Sequence, residues 1–186
     1  MQKQPNNPYL DVFKSVSNTR DAYDTRRNLV KTYAWAVPTD EAIACLVKYG
    51  SLVEVGAGTG YWASLIVQAG GKIDAYDIAP PEVQDDNYYG HERLYWPVLP
   101  ISCLKWDKTQ RKTLFLCWPP YRSSMASDAL KQFRGSVVAY IGEGSYGCTA
   151  DEAFHDTLDK QWNLLETVRI PQWFGINDNL TVWGRR

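Results

Sequence analysis

The stretch Ser51-Leu-Val-Glu-Val-Gly-Ala-Gly-Thr-Gly-Tyr-Trp62 decides the fold of this chain. Its apolar residues Leu52, Val53 and Val55 predict a short strand that is buried on both faces. Three glycines then alternate with other residues, and residues 61–69 have the composition of a helix. Glycine adopts positive φ angles without strain and lets the backbone come close to another molecule. We therefore predict a ligand-binding turn, in which unpaired N–H groups at the start of the helix face the ligand.

Two details of this turn indicate which ligand it binds. A dinucleotide-binding turn has the pattern Gly-x-Gly-x-x-Gly, whereas here the third glycine comes one residue early and Tyr61 stands where that pattern has glycine. Glu54 lies two residues before the first glycine, and a carboxylate there suits an ammonium or sulfonium group better than a pyrophosphate. The next predicted strand, Lys72 to Asp77, ends in an acidic residue at about the 20-residue distance where such folds bind a ribose.

The pattern Glu-x-Gly-x-Gly-x-Gly from Glu54 to Gly60, followed by Asp77, resembles the class I S-adenosylmethionine-dependent methyltransferases. The likeness extends roughly from Ser51 to the C-terminus. It implies that the methionine part of the cofactor lies over the glycine turn and that the ribose hydroxyls bond to Asp77. The cofactor-binding residues expected on this basis are Tyr33, Glu54, Gly56, Ala57, Gly58, Gly60, Tyr61, Trp62, Asp77, Ile78, Cys117, Trp118 and Pro119. An ordinary strand–helix turn and a nicotinamide-binding turn remain as alternatives.

The composition is that of an ordinary soluble protein. Of the 186 residues, 45% are apolar and 22% are charged, which favours a single domain with an N-terminal arm and helical cap (1–50) and a Rossmann-like core (51–186). The formal net charge of −1 argues against strong nonspecific attraction to nucleic acid or to an anionic membrane. No apolar run reaches the length of a membrane span, and the polar N-terminus is not a secretory signal. Four scattered cysteines without a Cys-x-x-Cys pair fit free thiols in a reducing cytoplasm better than a zinc site.

The order of the predicted elements favours an α/β fold. Helices are expected at 21–37, 41–49 (after an N-cap at Thr39), 61–69, 123–133 and after an N-cap at Thr149, and strands at 52–55, 72–77, 94–98, 113–118, 136–141, 162–170 and 179–183. Residues 1–8 are expected to form a loose arm, and residues 85–90 an irregular crossover. Strands that alternate with helices and then pair through a short loop predict a Rossmann-like open sheet of about seven strands. The resemblance implies the strand order 3-2-1-4-5-7-6, with an antiparallel last strand and a cap of N-terminal helices over the cofactor.

In such sheets, ligands bind beyond the carboxyl ends of the strands. This rule places the glycine turn, Asp77-Ile78 and the segments 117–121, 142–147 and 171–178 on one rim. In the last segment the side chains expected to face the substrate are Gln172, Trp173, Phe174, Asn177 and Asp178, although its aromatic residues would equally cap the end of the sheet. In the segment 33–38, either Tyr33 or Trp35 is expected to cover the ligand, unless both only pack a helix onto the sheet.

The segment Trp118-Pro-Pro-Tyr121 is the most suggestive of catalysis. It resembles the Asp/Asn-Pro-Pro-Tyr/Phe motif of amino-methyltransferases, in which the first side chain and a backbone carbonyl accept hydrogen bonds from the target amine. Trp118 has only an N–H donor and cannot accept, although carbonyls near Pro119 still can, and Tyr121 can stack on the acceptor. Alternatively, Trp118 and Tyr121 form an aromatic wall beside the sulfonium through cation–π attraction. The expected substrate-binding residues are Pro120, Tyr121, Trp173 and Phe174.

Glu143 lies between two glycines after a predicted strand, where small neighbours leave it accessible. We expect it to act as a general base or to anchor a cationic substrate, or else to be a turn residue that accepts hydrogen bonds from nearby N–H groups. Glu143 and Tyr121 form the predicted catalytic set, and Tyr146, Cys148 and His91 are weaker candidates. Methyl transfer itself mainly requires that the protein align the acceptor with the methyl group and exclude water.

We interpret the chain as a cytoplasmic enzyme that transfers a methyl group from S-adenosylmethionine to a small molecule, because the sequence has neither a basic patch nor an appended recognition domain. The segments 33–36, 56–62, 116–121 and 142–144 also resemble small methyltransferase-like proteins without an assigned activity, which leaves the acceptor open. Three alternatives remain: an amino-methyltransferase acting on nucleic acid or protein, a catalytically silent cofactor-binding protein, and a nicotinamide oxidoreductase. We expect no part for a membrane or a metal ion.

Overall fold

The computed structural model describes residues 5–16, 19–79 and 93–186 of the chain. The helices are α1 (Pro8–Ser15), α2 (Thr19–Thr32), α3 (Asp40–Lys48), α4 (Tyr61–Gln68), α5 (Met125–Gln132) and α6 (Glu152–Gln161). The strands are β1 (Ser51–Val55), β2 (Lys72–Asp77), β3 (Val98–Pro100), β4 (Thr113–Cys117), β5 (Val137–Gly142), β6 (Trp162–Arg169) and β7 (Asn179–Arg185). Short 3-10 helices occupy Ile101–Cys103 and Trp106–Lys108. The predicted crossover at 85–90 and the candidate His91 lie outside the described residues.

The seven strands of this part of the chain form one sheet in the order β3-β2-β1-β4-β5-β7-β6. Strands β1 to β5 run parallel to one another, and β7 is antiparallel to both β5 and β6. The predicted Rossmann-like open sheet is therefore confirmed, together with the strand order and the antiparallel last strand that the resemblance implied. All five parallel strands end on the same rim, and the glycine turn follows the strand near its middle.

Strand β1 is buried on both faces, as predicted. Successive side chains of a strand point to opposite faces of the sheet, so its residues enter two separate hydrophobic cores. Leu52 lies in a cluster with Trp62 of α4, whereas Val53 lies in a cluster with Leu130 of α5 and Phe154 of α6. Because both cores fix this strand, the turn that follows it has a rigid base.

Residues 1–4 of the predicted loose arm lie outside the described residues, whereas the segment from Asn7 onward is tied to the rest of the fold. Asn7 caps α1, since its side-chain oxygen accepts a hydrogen bond from the Leu10 N–H at 3.2 Å. The same oxygen accepts from the Tyr61 hydroxyl at 2.9 Å, which ties the cap to α4. Tyr9 is fully buried, and its hydroxyl accepts from the Trp173 indole N–H at 3.2 Å. The sequence does not reveal this helix, because long-range contacts of its first residues hold it in place.

The loop before α3 begins earlier than predicted. Helix α2 ends at Thr32 rather than at residue 37. The Tyr33 carbonyl next to its end accepts a hydrogen bond from the Thr59 hydroxyl in the glycine turn, a tertiary contact that a helical pattern does not reveal. The N-cap of α3 is confirmed, because the Thr39 side chain accepts from the Ala42 N–H at 3.2 Å.

Strand β3 lies later in the chain than predicted. It occupies Val98–Pro100 instead of residues 94–98, and it forms an edge of the sheet. The preceding segment is tied to the glycine turn, since the Tyr95 N–H donates to the Thr59 carbonyl at 2.8 Å. Pro97 directly precedes this strand and lacks an N–H donor, which suits the edge of a sheet.

Helix α6 has a different N-cap from the predicted one. Asp151 caps it, because its carboxylate accepts a hydrogen bond from the Phe154 N–H at 3.3 Å. Thr149, the predicted cap, lies outside the helix and stabilises the turn after β5. Its hydroxyl lies 2.6 Å from the Tyr140 hydroxyl and accepts from the Glu143 N–H at 2.9 Å. Threonine and aspartate are both common N-cap residues, and only the backbone geometry distinguishes Thr149 from Asp151.

None of the helices in the described ranges is both long enough and apolar enough to cross a membrane. Over the same residues, no group of three or more His, Cys, Asp or Glu side chains is placed to hold a metal ion.

Candidate functional site

A cleft of about 640 Å³ opens at the carboxyl ends of the strands, on the predicted rim. The predicted site residues that line it are Gly56, Gly58, Asp77, Ile78, Cys117, Trp118, Pro119, Pro120 and Tyr121. Other lining residues were not predicted as cofactor or substrate contacts, among them Ile101, Trp106 and Met125. The volume is in the range of small-molecule and cofactor sites.

The glycine turn has the backbone conformation that its sequence predicts. Gly56, Gly58 and Gly60 all have positive φ angles, of 80°, 52° and 68°. The Gly56 and Ala57 N–H groups donate to the Tyr76 carbonyl at 2.9 and 3.0 Å, which joins the turn to β2. A Cβ atom on Gly60 would lie 2.9 Å from the Trp96 carbonyl oxygen. The third glycine therefore allows a close approach of two backbone segments, whereas the first two line the cleft.

Asp77 is joined directly to this turn. One carboxylate oxygen, Oδ2, accepts from the Gly58 N–H at 2.8 Å, and the other, Oδ1, accepts from the Ala79 N–H at 3.0 Å. Each carboxylate oxygen has two lone pairs, so both can still accept a hydrogen bond from a ligand hydroxyl. The two N–H groups fix the position of the carboxylate in the cleft wall.

Glu54 lies beneath the turn rather than in the cleft lining. It is 1% exposed, and its Oε2 atom has no hydrogen-bond partner in the part of the chain that the structure describes. Burial raises the pKa of Glu54 well above its usual value, and the negative charge of Asp77 raises it further. A buried carboxylate with an unpaired oxygen is costly, and an ammonium group close to the turn would relieve that cost.

We expect Glu54→Gln to stabilise the ligand-free protein at about pH 8 and to have little effect near about pH 4. With its raised pKa, the folded state keeps a proton that the unfolded chain loses above about pH 4.3. The Glu54 contribution therefore makes the folded state less stable as the pH rises from that value. Glutamine does not ionise, so the difference in melting temperature between the variant and the parent should widen with pH.

Glu166 provides the matched control for this experiment. The Lys48 ammonium donates to Glu166 at 2.7 Å and lowers the pKa of that exposed carboxylate. Its contribution to stability is present above the usual glutamate pKa and is lost as the pH falls, so Glu166→Gln should destabilise the protein at neutral pH. If the difference in melting temperature between Glu54→Gln and the parent stays constant over the whole pH range, that result would contradict the burial of an ionisable group at position 54.

Trp118 is held in a strained conformation at the end of β4. Its φ angle is 54°, a left-handed value that is rare for a bulky residue. Its ring stacks on Trp35, with centroids 5.3 Å apart and an angle of 14° between the planes. The Arg26 guanidinium lies 5.6 Å from the centroids of both rings. The indole N–H of Trp118 donates to the Asp178 carboxylate at 2.7 Å.

Of the two predicted lid residues, Trp35 lines the cleft and Tyr33 does not. Tyr33 lies instead in an aromatic cluster outside the cleft, where its ring centroid is 5.5 Å from Tyr9, 4.8 Å from Tyr61 and 5.5 Å from Tyr95. The sequence left the choice between the two aromatic residues open. The contacts with α1 and α4 that hold Tyr33 are distant in sequence.

Other predicted site residues also lie away from the cleft lining. Tyr61 and Trp62 begin α4 and are 2% exposed, and the Trp62 ring packs edge-on against Phe115 at 5.9 Å. Trp173 is buried against the N-terminal cap and donates to Tyr9, whereas Phe174 is 90% exposed. None of these four side chains lines the cleft: Tyr61, Trp62 and Trp173 pack in the core, and Phe174 is exposed. Trp173 is therefore a packing residue. This is closer to the second interpretation of the loop, in which its aromatic residues cap the end of the sheet.

Glu143 has the contacts of a turn residue. Its oxygens accept from the Cys148 and Asn177 N–H groups, both at 2.8 Å. Burial raises the pKa of Glu143, but these hydrogen bonds outweigh that effect and leave the pKa below its usual value. A lowered pKa makes a carboxylate a weaker proton acceptor, so these contacts favour the interpretation of Glu143 as a turn residue. The weaker candidates Tyr146 and Cys148 are both exposed.

The Pro-Pro-Tyr segment is partly engaged by the fold itself. The Pro119 carbonyl accepts from the Ala150 N–H at 2.9 Å, and the Pro120 carbonyl accepts from the Ser123 N–H at 3.2 Å. Tyr121 is 54% exposed at the mouth of the cleft, with the Arg122 guanidinium 5.0 Å from its ring centroid. The Trp118 indole cannot accept a hydrogen bond, and its N–H already donates to Asp178. At this position the side-chain acceptor of the motif is therefore missing, and the two carbonyls each already accept one hydrogen bond.

Comparison with solved structures identifies the fold. The structure is similar to magnesium protoporphyrin IX methyltransferase from Synechocystis PCC 6803 with bound SAM, at 14% identity over 96% of this chain and 90% of that chain, with a TM-score of 0.55. It is also similar to a putative tRNA (m1A22) methyltransferase from Streptococcus pneumoniae, at 13% identity over 78% and 68% of the two chains and a TM-score of 0.51. A protein of the NADB-Rossmann superfamily from Streptococcus agalactiae matches at 11% identity over 82% and 71%, with a TM-score of 0.52.

Comparisons of the sequence find no matching family of proteins and no matching curated protein. At identities this low, the structural likeness concerns the fold alone. The chain has the class I methyltransferase fold.

Proposed function

We propose that this protein binds S-adenosylmethionine in the cleft and transfers its methyl group to an acceptor. The observation that carries the proposal is the hydrogen bond between the Gly58 N–H and the Asp77 carboxylate. It joins the two parts of the sequence pattern, the acid-led glycine turn and the acid at the end of the next strand, into one wall of the cleft. The similar methyltransferase of Synechocystis, which was solved with bound SAM, supports the same ligand.

The residues of the cleft, together with Glu54 beneath the glycine turn, fit the chemical groups of this cofactor. Asp77 would accept hydrogen bonds from the ribose hydroxyls, and the unpaired Oε2 of Glu54 favours the ammonium group of the methionine end. Ile78, Ile101 and Trp106 provide apolar surface for the adenine ring. When bound, S-adenosylmethionine supplies an already activated methyl group. The remaining task of the chain is to orient the acceptor and to exclude water, for which the stacked rings beside the cleft are suited.

A small molecule is the acceptor class that we favour. The net charge of the chain is −1, which gives no general attraction to the phosphates of a nucleic acid. The exposed Tyr121 with its neighbouring Arg122 favours the second candidate, an amino-methyltransferase acting on nucleic acid or protein, because such a pair can stack on a base or another planar group. Against it, the Trp118 indole and the Pro119 carbonyl already have partners within the protein.

The test is transfer of a labelled methyl group from S-adenosylmethionine to fractions of a cell extract. We expect label in the small-molecule fraction, and markedly less of it when Asp77→Ala replaces the parent protein at the same concentration. Label in RNA, DNA or protein would replace the small-molecule acceptor with the second candidate. Cofactor binding without label in any fraction would overturn methyl transfer in favour of a silent cofactor-binding protein.

A further inference from the structure

Two side chains of opposite charge contact Trp118 without pairing with each other. Arg26 of α2 lies 5.6 Å from its ring centroid, and Asp178 accepts from its indole N–H at 2.7 Å. Burial raises the pKa of Asp178 above its usual value, although the hydrogen bond from Trp118 and the positive charge of Arg26 oppose that rise. Over the residues that the structure describes, however, no ion pair within 4.0 Å involves either of them.

Each of the two side chains keeps a buried polar atom without a partner. Arg26 Nε and Asp178 Oδ1 make no hydrogen bond within the described ranges. Asp178 is 2% exposed, and its other oxygen is the one that Trp118 uses. Buried charged groups are normally paired or fully hydrogen-bonded, and an exception calls for a specific explanation. A ligand that carries both a negative group and an N–H donor would satisfy both atoms.

The position of the pair separates it from the ribose-binding wall. Asp178 precedes Asn179, which pairs with Gly142 at the end of β5. The strand order puts β4 and β5 between β1 and β7, so at about 4.8 Å per strand the start of β7 lies roughly 14 Å across the sheet from the end of β1. The pair thus lies on the far side of Trp118 from the glycine turn, and Trp118 itself lines the cleft.

Asp178 also differs from its neighbour Glu143 in the number of hydrogen bonds that its carboxylate accepts, since Asp178 Oδ1 has no partner among the described residues. Both oxygens of its neighbour Glu143 accept backbone N–H groups at 2.8 Å. The backbone carbonyl of Asp178 is fixed by the Gln172 side chain, which donates to it at 2.8 Å. Asp178 is therefore held in place by the loop and by Trp118, while Oδ1 is left for another partner.

We propose that Arg26 and Asp178 bind an acceptor of the α-amino-acid class, with Arg26 contacting its carboxylate and Asp178 Oδ1 accepting from its amine. The inference rests on the proposed methyltransferase function and names its acceptor. Arginine matches the planar geometry of a carboxylate, and the stacked rings of Trp35 and Trp118 offer an apolar surface for the acceptor side chain. The cofactor has an amino-acid end of the same chemistry, so the test must distinguish the two sources.

The experiment is calorimetric titration of the protein saturated with S-adenosylhomocysteine. The probes are L-phenylalanine, phenethylamine, which lacks the carboxylate, and 3-phenylpropionate, which lacks the amine, followed by the corresponding series for L-leucine. We expect the amino acid of at least one series to bind at least about tenfold more tightly than either truncated analogue, a difference of about 1.4 kcal/mol. Equal binding of all three probes, or binding of none, in both series would overturn the proposal.

Two variants assign the groups. Arg26→Gln should bind the amino acid no more tightly than the analogue that lacks the carboxylate. Asp178→Asn should bind the amino acid no more tightly than the analogue that lacks the amine. The amide introduced by Asp178→Asn retains a carbonyl oxygen that can accept from the Trp118 indole, and unchanged melting temperatures would establish that both variants fold. A preference retained in both variants would overturn the assignment of these residues.

Separate titrations distinguish the acceptor from the cofactor. S-adenosylhomocysteine and 5′-methylthioadenosine, which lacks the amino-acid end, are compared on the parent and on both variants. If the variants weaken only S-adenosylhomocysteine, the pair binds the cofactor's own amino-acid end and the acceptor assignment is overturned. Failure of S-adenosylhomocysteine to bind the parent would instead overturn the proposed function. In that case, titration of the ligand-free protein with the amino-acid series would test on its own whether Arg26 and Asp178 bind an amino acid.

Discussion

Gly58→Val is expected to abolish cofactor binding while leaving a folded protein. Gly58 has a φ angle of 52° and lines the cleft, and a β-branched residue at such an angle is a strong outlier. Its side chain would also stand on the cleft wall beside Asp77, where the ribose is expected. We predict that the dissociation constant for S-adenosylhomocysteine rises at least about 100-fold, or roughly 2.7 kcal/mol, as measured by titration calorimetry.

Gly175→Val is the matched control. Gly175 also has a positive φ angle, of 78°, but a Cβ atom there meets no other atom within 4 Å. This variant therefore carries a similar backbone strain, of about 1–3 kcal/mol, without obstructing the cleft. A Gly58→Val protein that binds the cofactor as the control does would refute the role of the turn.

Asp77→Ala is expected to weaken S-adenosylhomocysteine binding by roughly 10- to 100-fold, since a hydrogen bond to a charged group contributes about 1.5–3 kcal/mol. The substitution removes the acceptor for the ribose hydroxyls and also the partner of the Gly58 N–H. Asp77→Asn should be intermediate, because an amide oxygen can still accept one of these hydrogen bonds. Asp74→Ala, three residues earlier on β2, removes an exposed ion pair with Lys112 and should leave the affinity unchanged.

The ribose assignment has its own check. The parent should bind S-adenosylhomocysteine more tightly than its 2′-deoxy analogue, and the Asp77→Ala variant should bind the two alike. If the variant keeps the full preference for the ribose hydroxyl, Asp77 does not contact it, whatever the change in overall affinity.

The sequence was informative where local patterns determine the structure. Alternating glycines after the apolar run of β1 required positive φ angles and allowed the turn to be placed, and the acid at Asp77 followed from the end of the next strand. The alternation of strands and helices predicted the sheet, although the order of its strands came from the resemblance. In each of these cases the determining residues lie within a few positions of the feature itself.

The sequence was less informative where distant residues decide. Tyr33 and Trp35 are equivalent as lid candidates until Tyr9, Tyr61 and Tyr95 are known to surround the first of them. Glu143 looks accessible between two glycines, yet Asn177, 34 positions away, takes one of its oxygens. The hydrogen bond from Trp118 joins residues that are 60 positions apart. Such contacts depend on which strands become neighbours, and no short pattern in the chain reveals them.

The acid-led glycine turn, with Asp77 beside it, is expected above all to bind a sulfonium nucleoside cofactor. The most direct measurement is calorimetric titration of the purified protein with S-adenosylhomocysteine and, in parallel, with NAD⁺. We predict saturable binding of S-adenosylhomocysteine that is lost in Gly58→Val, and no binding of NAD⁺. Binding of NAD⁺ alone, or of neither compound, would contradict this assignment.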